Sequence, residues 1–566
     1  MNWRVPAAIS IVLRVVYIFT TAKDLFFNFY VDGAYYQIWA LSILDGNPMK
    51  APFFMTPLYP YFIAIVYSLF PSTVAPIALW VIQAVFDTIT VFLIYKIGSM
   101  ILRKEIGFIA ACLYAIYPHA VFYSGLTLMA CTLTLISTLA VYLFFLGIKK
   151  TNTQFLLFSG LMFGIAAIGR GNIIFVVIVL GIFMLLKLKR TLPQLCHFAG
   201  CVLIPIFCLT IVNIISGHEF ILTTYNLGLN FYVGHNPDAD GTYQNPGGLS
   251  LYDDMDGIRT LSALTGRRVK KAESSGYWFR EGIRYIKSYP WRTIILTLKK
   301  LYLFWGPREI QQTENFYYAS QRSFLRFIPI GFWLFSPLYF SLFILMRRKY
   351  ILPLIAIPLS YSISFLPFFI TGRYRQPIVP IVILCAAAMV YYTYIDLRNR
   401  RYRYLQVSLS LIVLFAGLFI IQHKDIKKSI LDTKSYYALY LKQKNMWGEA
   451  EDSLKSIINE DPQFTAGWLN LGVLYAHKHN FIEAKKIFTH VLQLEPQNAK
   501  AMMDLGASYM GLGSLDSALF YLKMSRERLP FSLEANYMIW QTMELKKIKA
   551  TNEDSFKRII SRIQPR

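Results

Sequence analysis

Long apolar runs separated by short basic clusters constrain this chain more than any other feature of its sequence. A helix needs about 20 apolar residues to cross the roughly 30 Å hydrocarbon core of a bilayer. Eleven runs reach or approach that length, at residues 5–22, 74–97, 105–123, 125–147, 155–169, 172–187, 194–215, 327–346, 350–370, 376–396 and 404–421. Only 16% of the residues are charged, against about 25% in soluble proteins. The sequence therefore predicts an all-α, polytopic membrane helix bundle with about 11 spans over residues 1–421.

The basic clusters between these runs predict the orientation. With the N-terminus in the cytoplasm, all five clusters are cytoplasmic, as the positive-inside rule expects; they are residues 103–104, 149–150, 187–190, 347–349 and 398–403. The net charge of +25 is thus explained without a nucleic-acid partner. Two long loops, 23–73 and 216–326, and everything after residue 421 are then expected on the non-cytoplasmic side.

The cysteines and the first apolar run narrow the class further. All six cysteines lie within apolar runs, without a CxxC motif, which predicts buried thiols and neither a disulfide framework nor a metal site. The first run carries Arg14 and has no small-residue cleavage site. It is therefore expected to be a membrane anchor and not a removed signal peptide.

The C-terminal region is a different kind of sequence, and it repeats with a period of about 34 residues. One copy, residues 465–498, has its signature side chains at Trp468, Leu471, Gly472, Tyr475, Ala484, Phe488 and Pro496. This spacing is typical of tetratricopeptide repeats, in which small residues allow paired helices to touch. We expect a linker at 422–430 and repeats at 431–464, 465–498 and 499–532, followed by a degenerate repeat at 533–566, and a possible protein partner for this domain.

The carboxylate of Asp32 stands in the first outer loop, just after the first apolar run. Behind it, Tyr35, Tyr36 and Trp39 recur at helical spacing and predict an aromatic helix lying at the lipid–water boundary. Asp32 has two possible roles. It can cap this helix, or it can serve as a general base between a donor held in the membrane and an acceptor outside it.

Three arginines are candidates for binding a phosphate. Arg373 and Arg375 flank a tyrosine between two predicted spans on the non-cytoplasmic side, where positive charge is not the rule. Two guanidinium groups there could clamp a phosphate through paired hydrogen bonds; the alternative is headgroup anchoring. Arg170 interrupts two short apolar runs, either as a functional charge at membrane depth or as a snorkelling side chain at the end of a span.

The loop at 223–243 mixes polar side chains with glycines and aromatic residues, as expected of a sugar or polar-headgroup pocket. A calcium loop is disfavoured because the acidic residue that would close it is missing, and His235 has no second His or Cys at metal-ligand spacing. The side chains expected to line the sugar or acceptor pocket are Tyr35, Asn230, His235, Asn236 and, as a weaker candidate, Glu309.

Six segments in order resemble one family of membrane enzymes. They are Asp32 and residues 57–64, 117–125, 164–172, 226–243 and 373–380, and together with the topology they cover roughly residues 1–421. The chain resembles the GT-C membrane glycosyltransferases, specifically the dolichyl-phosphate-mannose–protein mannosyltransferase-like proteins in their bacterial form. Bacterial members also carry tetratricopeptide tails, which implies a bacterial inner-membrane location with the active site and the repeats outside the cytoplasm.

The resemblance implies an inverting enzyme that moves a sugar from a polyprenyl-phosphate carrier to a protein, lipid or glycan acceptor. Asp32 would deprotonate the acceptor hydroxyl, and basic residues such as Arg373 and Arg375 would stabilise the carrier phosphate. It implies no soluble nucleotide sugar, no cofactor and no catalytic metal. Thr56 stands where related aminoarabinose transferases have a lysine, the run after residue 125 has no acid, and Gly171 replaces a common proline, so the substrate stays open.

Two other classes of protein compete with this interpretation. In the first, the bundle is only an anchor and the repeats recruit partners for envelope polysaccharide or secretion machinery. In the second, the chain is a transporter or lipid flippase, which is disfavoured because the apolar runs show no obvious inverted repeat and few midplane acids.

Overall fold

The computed structural model describes the chain except for residues 1, 27–30, 189–191, 252–253, 313, 346–350, 422 and 564–566. In the described ranges the regular structure is helical, apart from one isolated parallel bridge between Phe53 and Thr224. This confirms the all-α prediction. The chain divides into two compact units: Met1–Tyr243 with Lys270–Gln422, and Gln244–Val269 with His423–Arg566.

The first unit contains the apolar helices and the loops between them. Its helices before the second long loop are Arg4–Tyr17, Ile18–Ala22 (a π-helical turn), Lys23–Phe26, Val31–Leu44, Leu58–Leu69, Ala75–Ile101, Lys104–Ala115, Pro118–Ser124, Ala130–Lys149, Thr153–Gly169, Ile173–Leu188 and Leu192–Gly217. Those that follow are Leu227–Gly234, Lys271–Ser288, Pro290–Trp305, Phe316–Gln321, Phe324–Phe327, Phe332–Leu345, Ile351–Ile363, Gly372–Tyr374, Gln376–Ile378, Val379–Arg398 and Arg403–Ile421.

Several of these helices have the length and composition of membrane spans. Among the described residues five qualify, at Arg4–Leu25, Ala75–Ile101, Ala130–Lys149, Leu192–Gly217 and Gly372–Arg398, and a sixth if the pair Lys104–Ser124, bent by 55°, is one span. Six further apolar helices are only 10–17 residues long. At 1.5 Å per residue these fall short of the bilayer core. The first unit is a membrane helix bundle, and the count of about 11 spans stays a prediction.

A buried ion pair fastens the first helix into the bundle. Arg14 Nε lies 2.9 Å from Asp87 Oδ2, and its Nη1 donates to the carbonyl of Ala115 at 2.9 Å. Tyr114 donates to the other oxygen of Asp87 at 2.9 Å. A charge at membrane depth is tolerated when it is paired in this way. The charge within the first apolar run therefore joins three helices and does not interrupt the bundle.

The second unit is a stack of antiparallel helix pairs. The pairs are His423–Gln443 with Trp447–Glu460, Thr465–His477 with Phe481–Leu494, Ala499–Gly511 with Leu515–Arg528, and Leu533–Thr551 with Glu553–Ile563. A Cβ added at Gly472 would lie 2.5 Å from the Phe488 ring, and one at Gly506 would lie 2.7 Å from Leu522. The predicted small residues are thus where the paired helices touch, and the tetratricopeptide prediction is confirmed.

Two parts of the chain differ from the predicted organisation. Residues 423–430, expected to be a linker, lie within the helix His423–Gln443. Residues 244–269, expected to belong to an outer loop of the membrane domain, form part of the second unit. There the Phe531 N–H donates to the Gly247 carbonyl at 2.9 Å, and a Cβ at Gly248 would lie 2.6 Å from Leu529. The loop has become part of the repeat domain because its glycines allow this close backbone packing.

Candidate functional site

Asp32, in the first outer loop, forms an ion pair with Arg373, which lies far from it in sequence. The short turn Gly372–Tyr374 that carries Arg373 is called the basic turn below. Asp32 is in the first turn of the helix Val31–Leu44 and is 4% exposed. Its Oδ2 lies 2.6 Å from Nη1 of Arg373, which belongs to the short 3₁₀ turn Gly372–Tyr374. Helix capping does not require such a tertiary partner. The structure therefore brings together the predicted base, Asp32, and a predicted phosphate ligand, Arg373.

Two further side chains surround Arg373. Its Nη2 donates to Gln312 Oε1 at 2.7 Å. Arg170 donates from Nη1 to the Arg373 carbonyl at 3.4 Å, and its guanidinium carbon lies 4.4 Å from the centre of the Tyr374 ring. Such a cation–π contact holds a guanidinium in place without neutralising it. Arg170 and Arg373 thus converge on one turn, beside the carboxylate of Asp32.

Arg375 is oriented differently from the expectation. It is 1% exposed, and its Nη2 donates to the backbone carbonyls of Leu303 and Arg308 at 2.6 and 2.8 Å. Its Nη1 lies 3.7 Å from Glu309 Oε2. The Arg375 guanidinium is buried and faces protein groups on the inside of the bundle. The expected donor-phosphate role of Arg375 is therefore not supported by its position, because the side chain is buried with its Nη2 bound to two backbone carbonyls and its charge facing Glu309.

Glu309, the weaker pocket candidate, is buried beside the same turn. Its Oε1 accepts a hydrogen bond from the Tyr123 hydroxyl at 2.7 Å, and its Oε2 lies 3.8 Å from His119 Nε2. Burial raises the pKa of the Glu309 carboxyl, and Arg375 and the Tyr123 hydrogen bond oppose that rise. A Cβ on Gly372 would lie 1.9 Å from Oε1. Glu309 therefore supports the turn that carries Arg373.

The polar residues of the loop at 223–243 mainly hold their own segment together. The Asn236 side-chain amide donates to the carbonyls of Tyr232 and Val233, both at 2.9 Å, and its oxygen accepts from the Asp238 N–H at 2.8 Å. These bonds close the helix Leu227–Gly234 and the turn after it. Asn236 is thus a structural residue here, and its expected place in a sugar or acceptor pocket remains a prediction.

His235 is also buried within this segment, next to a lysine that the sequence analysis did not identify. Its Nδ1 lies 3.2 Å from the Phe231 carbonyl, and its Nε2 lies 3.5 Å from Lys300 Nζ. Burial and the lysine lower the pKa of His235 to about 4. Lys300 Nζ donates to the carbonyls of Gly234 and Leu366 at 2.9 and 3.0 Å, and burial lowers its pKa to about 7.

The other two pocket candidates lie on helices at the edge of these clusters. Tyr35 makes edge-to-face ring contacts with Tyr36 and Trp39, at centroid distances of 6.2 and 5.9 Å. Asn230 is partly buried in the helix Leu227–Gly234. Their roles in binding a sugar or acceptor stay predictions.

Gln312 and Lys300 were not predicted from the sequence as site residues. Gln312 has no sequence signal, since a glutamine in a loop is common. Lys300 has one: it is a charge on the otherwise apolar face of the helix Pro290–Trp305. Among the described residues, no three His, Cys, Asp or Glu side chains cluster as a metal site would need.

Comparison with known proteins gives two sequence matches to families. The dolichyl-phosphate-mannose–protein mannosyltransferase family matches residues 51–214, and a tetratricopeptide repeat family matches residues 477–536. No curated protein matches the chain.

Solved structures show weak similarity. The apo oligosaccharyltransferase of Archaeoglobus fulgidus has 15% identity and a TM-score of 0.42, over 73% of this chain and 54% of that one. The chain thus spans about half the length of that protein. The same archaeon's AglB in complex with an inhibitory peptide and a dolichol-phosphate has 14% identity and a TM-score of 0.39, covering 79% of this chain and 58% of that one.

ArnT from Cupriavidus metallidurans bound to undecaprenyl phosphate has 12% identity and a TM-score of 0.39, covering 96% of this chain and 79% of that one. The sequence matches extend over a segment of the bundle and of the repeats. The chain is thus similar to the dolichyl-phosphate-mannose–protein mannosyltransferase family over residues 51–214 and to tetratricopeptide repeats over residues 477–536.

Proposed function

We propose that this protein is an inverting glycosyltransferase that moves a sugar from a polyprenyl-phosphate carrier to a protein, lipid or glycan acceptor. The observation that carries the proposal is the ion pair of 2.6 Å between Asp32 and Arg373. It joins an acid suited to general-base catalysis to a guanidinium suited to a phosphate. The match of residues 51–214 to a family named for a dolichyl-phosphate sugar supports the same carrier class.

In the proposed reaction Asp32 accepts the proton of an acceptor hydroxyl while that oxygen attacks the anomeric carbon of the sugar. The bond from this carbon to the carrier phosphate oxygen breaks, and the carrier phosphate leaves with the electron pair. Arg373 stabilises the negative charge that develops on the leaving phosphate. Attack from the face opposite the phosphate inverts the anomeric configuration.

The ion pair also implies an order of events. While Asp32 and Arg373 are paired, the base is neutralised and the guanidinium is occupied. In the donor the carrier phosphate is a diester with one negative charge, and it gains a second ionisable oxygen only as the bond to the sugar breaks, so its attraction to Arg373 is strongest as the sugar leaves. A donor phosphate that shares Arg373 with Asp32 would weaken the ion pair and leave Asp32 able to accept the proton of the acceptor hydroxyl. Arg170, held over Tyr374, is the second proposed phosphate ligand.

Arg375 and Glu309 take positioning roles in this proposal. Arg375 ties the basic turn to the carbonyls of Leu303 and Arg308, and Glu309 fills the space beside Gly372. Both fix the backbone from which Arg373 projects. Neither needs to touch the sugar or the phosphate.

The location is part of the proposal. From the positions of the basic clusters we place the site and the repeats on the non-cytoplasmic side of a bacterial inner membrane. The membrane domain extends to about residue 421, apart from residues 244–269, which join the repeats. The tetratricopeptide stack is expected to bind a protein partner.

The experiment is to incubate the purified protein in lipid with a panel of polyprenyl-phosphate sugars and to follow release of the carrier phosphate. Release from at least one donor is expected. If no donor is consumed and undecaprenyl phosphate does not bind, the proposal is wrong.

A second candidate is a membrane-anchored assembly factor, which the repeat stack itself favours. Its last helix pair exposes Tyr537 and Trp540, at 56% and 57%, as a protein-binding surface would. In that case Asp32→Asn leaves envelope glycans or secretion in cells unchanged, whereas substitutions on the repeats abolish the function.

A further inference from the structure

The helix Pro290–Trp305 exposes a continuous apolar stripe. Trp291, Ile295 and Leu298 are 77%, 66% and 62% exposed, and Ile294 is 50% exposed. These positions are three and four residues apart and so lie on one helix face. Large side chains exposed together in this way mark an interaction surface, whereas single exposed ones are ordinary.

This helix belongs neither to a protein core nor to the set of membrane spans. Its sixteen residues include Arg292, Lys299 and Lys300, and it is absent from the apolar helices among the described residues. Its opposite face is buried through Leu296, Lys300 and Leu303. A helix with one face fixed to the protein and one apolar face left open has the form of a helix that lies in a membrane surface.

The charged residues around the apolar stripe indicate which kind of surface the stripe would contact. Every charged residue between Glu281 and Glu309 is basic; they are Arg284, Lys287, Arg292, Lys299, Lys300 and Arg308. Lys287, four residues before Trp291, and Lys299, one residue after Leu298, are both exposed. Lysines next to an inserted apolar face attract anionic lipid headgroups.

We propose that the helix Pro290–Trp305 lies in the plane of the membrane interface, with Trp291, Ile295 and Leu298 among the acyl chains, and that Lys287 and Lys299 bind the headgroups of anionic phospholipids. The partner is thus an anionic lipid surface. This holds whether or not the chain transfers a sugar.

The contacts of the buried face connect this helix to the proposed site. Lys300 is tied to the carbonyls of Gly234 and Leu366, and the Leu303 carbonyl accepts a hydrogen bond from Arg375. The depth of the helix in the lipid therefore fixes the height of the basic turn. The consequence for catalysis, that the turn is held at headgroup level, rests on the proposed function.

The test uses the full-length protein in nanodiscs of equal parts phosphatidylcholine and phosphatidylglycerol. Bromine is placed on the acyl chains of only one lipid class at a time, and the fluorescence of Trp291 is taken as the difference between the wild type and Trp291→Phe. Brominated lipid is expected to quench this signal while aqueous acrylamide does not. Brominated phosphatidylglycerol should quench about twofold more strongly than brominated phosphatidylcholine.

The variant Lys287→Gln/Lys299→Gln should abolish the difference between the two lipids. The control Lys428→Gln/Lys523→Gln removes the same amount of charge from exposed positions of the repeat unit. It should leave the difference in quenching between the two lipids unchanged. Quenching by acrylamide in place of brominated lipid would overturn the proposal. Protection from both quenchers would also overturn it, since a second copy or another protein would then cover the stripe. Equal quenching by both lipids would refute the headgroup assignment.

Discussion

Asp32 Oδ2 lies 2.6 Å from Arg373 Nη1, so the carboxylate proposed as the base and the guanidinium proposed as the phosphate ligand are bound to each other. Asp32 is 4% exposed, and water screens this contact little. A carrier phosphate that uses Arg373 must therefore compete with Asp32. This competition makes the proposed mechanism testable by binding measurements alone, without an acceptor.

The first prediction is that Asp32→Asn tightens binding of the carrier phosphate. The asparagine removes the charge that competes for Arg373, and a hydrogen bond to a charged group contributes about 1.5–3 kcal/mol. We expect the Kd for undecaprenyl phosphate to fall about tenfold, measured by titration in detergent or nanodiscs. The control Asp45→Asn changes an exposed carboxylate at the other end of the same helix and should leave Kd unchanged. An unchanged Kd in Asp32→Asn would exclude the competition.

The second prediction concerns Arg373 when the Asp32 carboxylate that pairs with it has been removed. Adding Arg373→Gln to Asp32→Asn should reverse the gain and raise Kd to about tenfold above the wild-type value, because a charge-assisted contact to the phosphate is lost. The double variant avoids leaving a buried carboxylate unpaired, which would itself be strongly destabilising. Adding Arg326→Gln, an exposed arginine, to Asp32→Asn is the control and should keep the tighter binding.

The third prediction is that Gly372→Ala disturbs the basic turn. The new methyl group would lie 1.9 Å from Glu309 Oε1, and Glu309 is held in place by Tyr123. Overpacking of this kind costs about 1–3 kcal/mol. We expect a lower Tm and weaker carrier-phosphate binding. Gly448→Ala, whose Cβ would meet nothing within 4 Å, is the matched control. Wild-type behaviour of Gly372→Ala would show that Glu309 does not fix the turn.

The fourth prediction is a pH dependence of the repeat unit. Burial raises the pKa of Asp504 from 3.8 to about 7, with Glu534 reinforcing and Lys500 opposing the rise. Since the folded pKa lies above the unfolded one, the stability contribution of this group is complete below pH 3.8 and is lost as pH rises through 7.

Asp504→Asn should therefore raise the Tm of the repeat unit at pH 8 and change it little at pH 4. The control Asp452→Asn alters an exposed carboxylate of the same unit and should have no pH-dependent effect. The measurement is thermal unfolding of the full-length protein followed at both pH values. A stabilisation by Asp504→Asn that is the same at pH 4 and pH 8 would contradict the linkage.

The repeats and the helical class could be predicted because both are encoded by local spacing. Gly472 and Phe488, for example, fall at signature positions and pack against each other in the structure. The attachment of residues 244–269 to the repeat unit could not be predicted. It depends on contacts such as Gly247 with Phe531, and no periodic pattern links positions so far apart in sequence.

The site could be predicted only in part, because residue type and location are visible in the sequence whereas contacts between distant segments are not. Asp32 and Arg373 were each singled out by residue type and location, and the structure pairs them. Arg375 was expected to act together with Arg373. Arg373 and Arg375 are two residues apart at a 3₁₀ turn in which each residue rotates by about 120°, so the two side chains face different directions. The partners that turn Arg375 inward, Leu303 and Glu309, come from a distant loop.

The most direct test of the central claim is a single-turnover measurement of carrier-phosphate release. Wild type, Asp32→Asn and Asp45→Asn are each mixed with a donor that the wild type consumes and with its acceptor. A general base contributes about 100-fold or more to the rate. We predict that Asp45→Asn releases phosphate at the wild-type rate and that Asp32→Asn, although it binds the carrier phosphate more tightly, is slower by at least about 100-fold. Release by Asp32→Asn within a few-fold of the wild-type rate would contradict the assignment of Asp32 as the base.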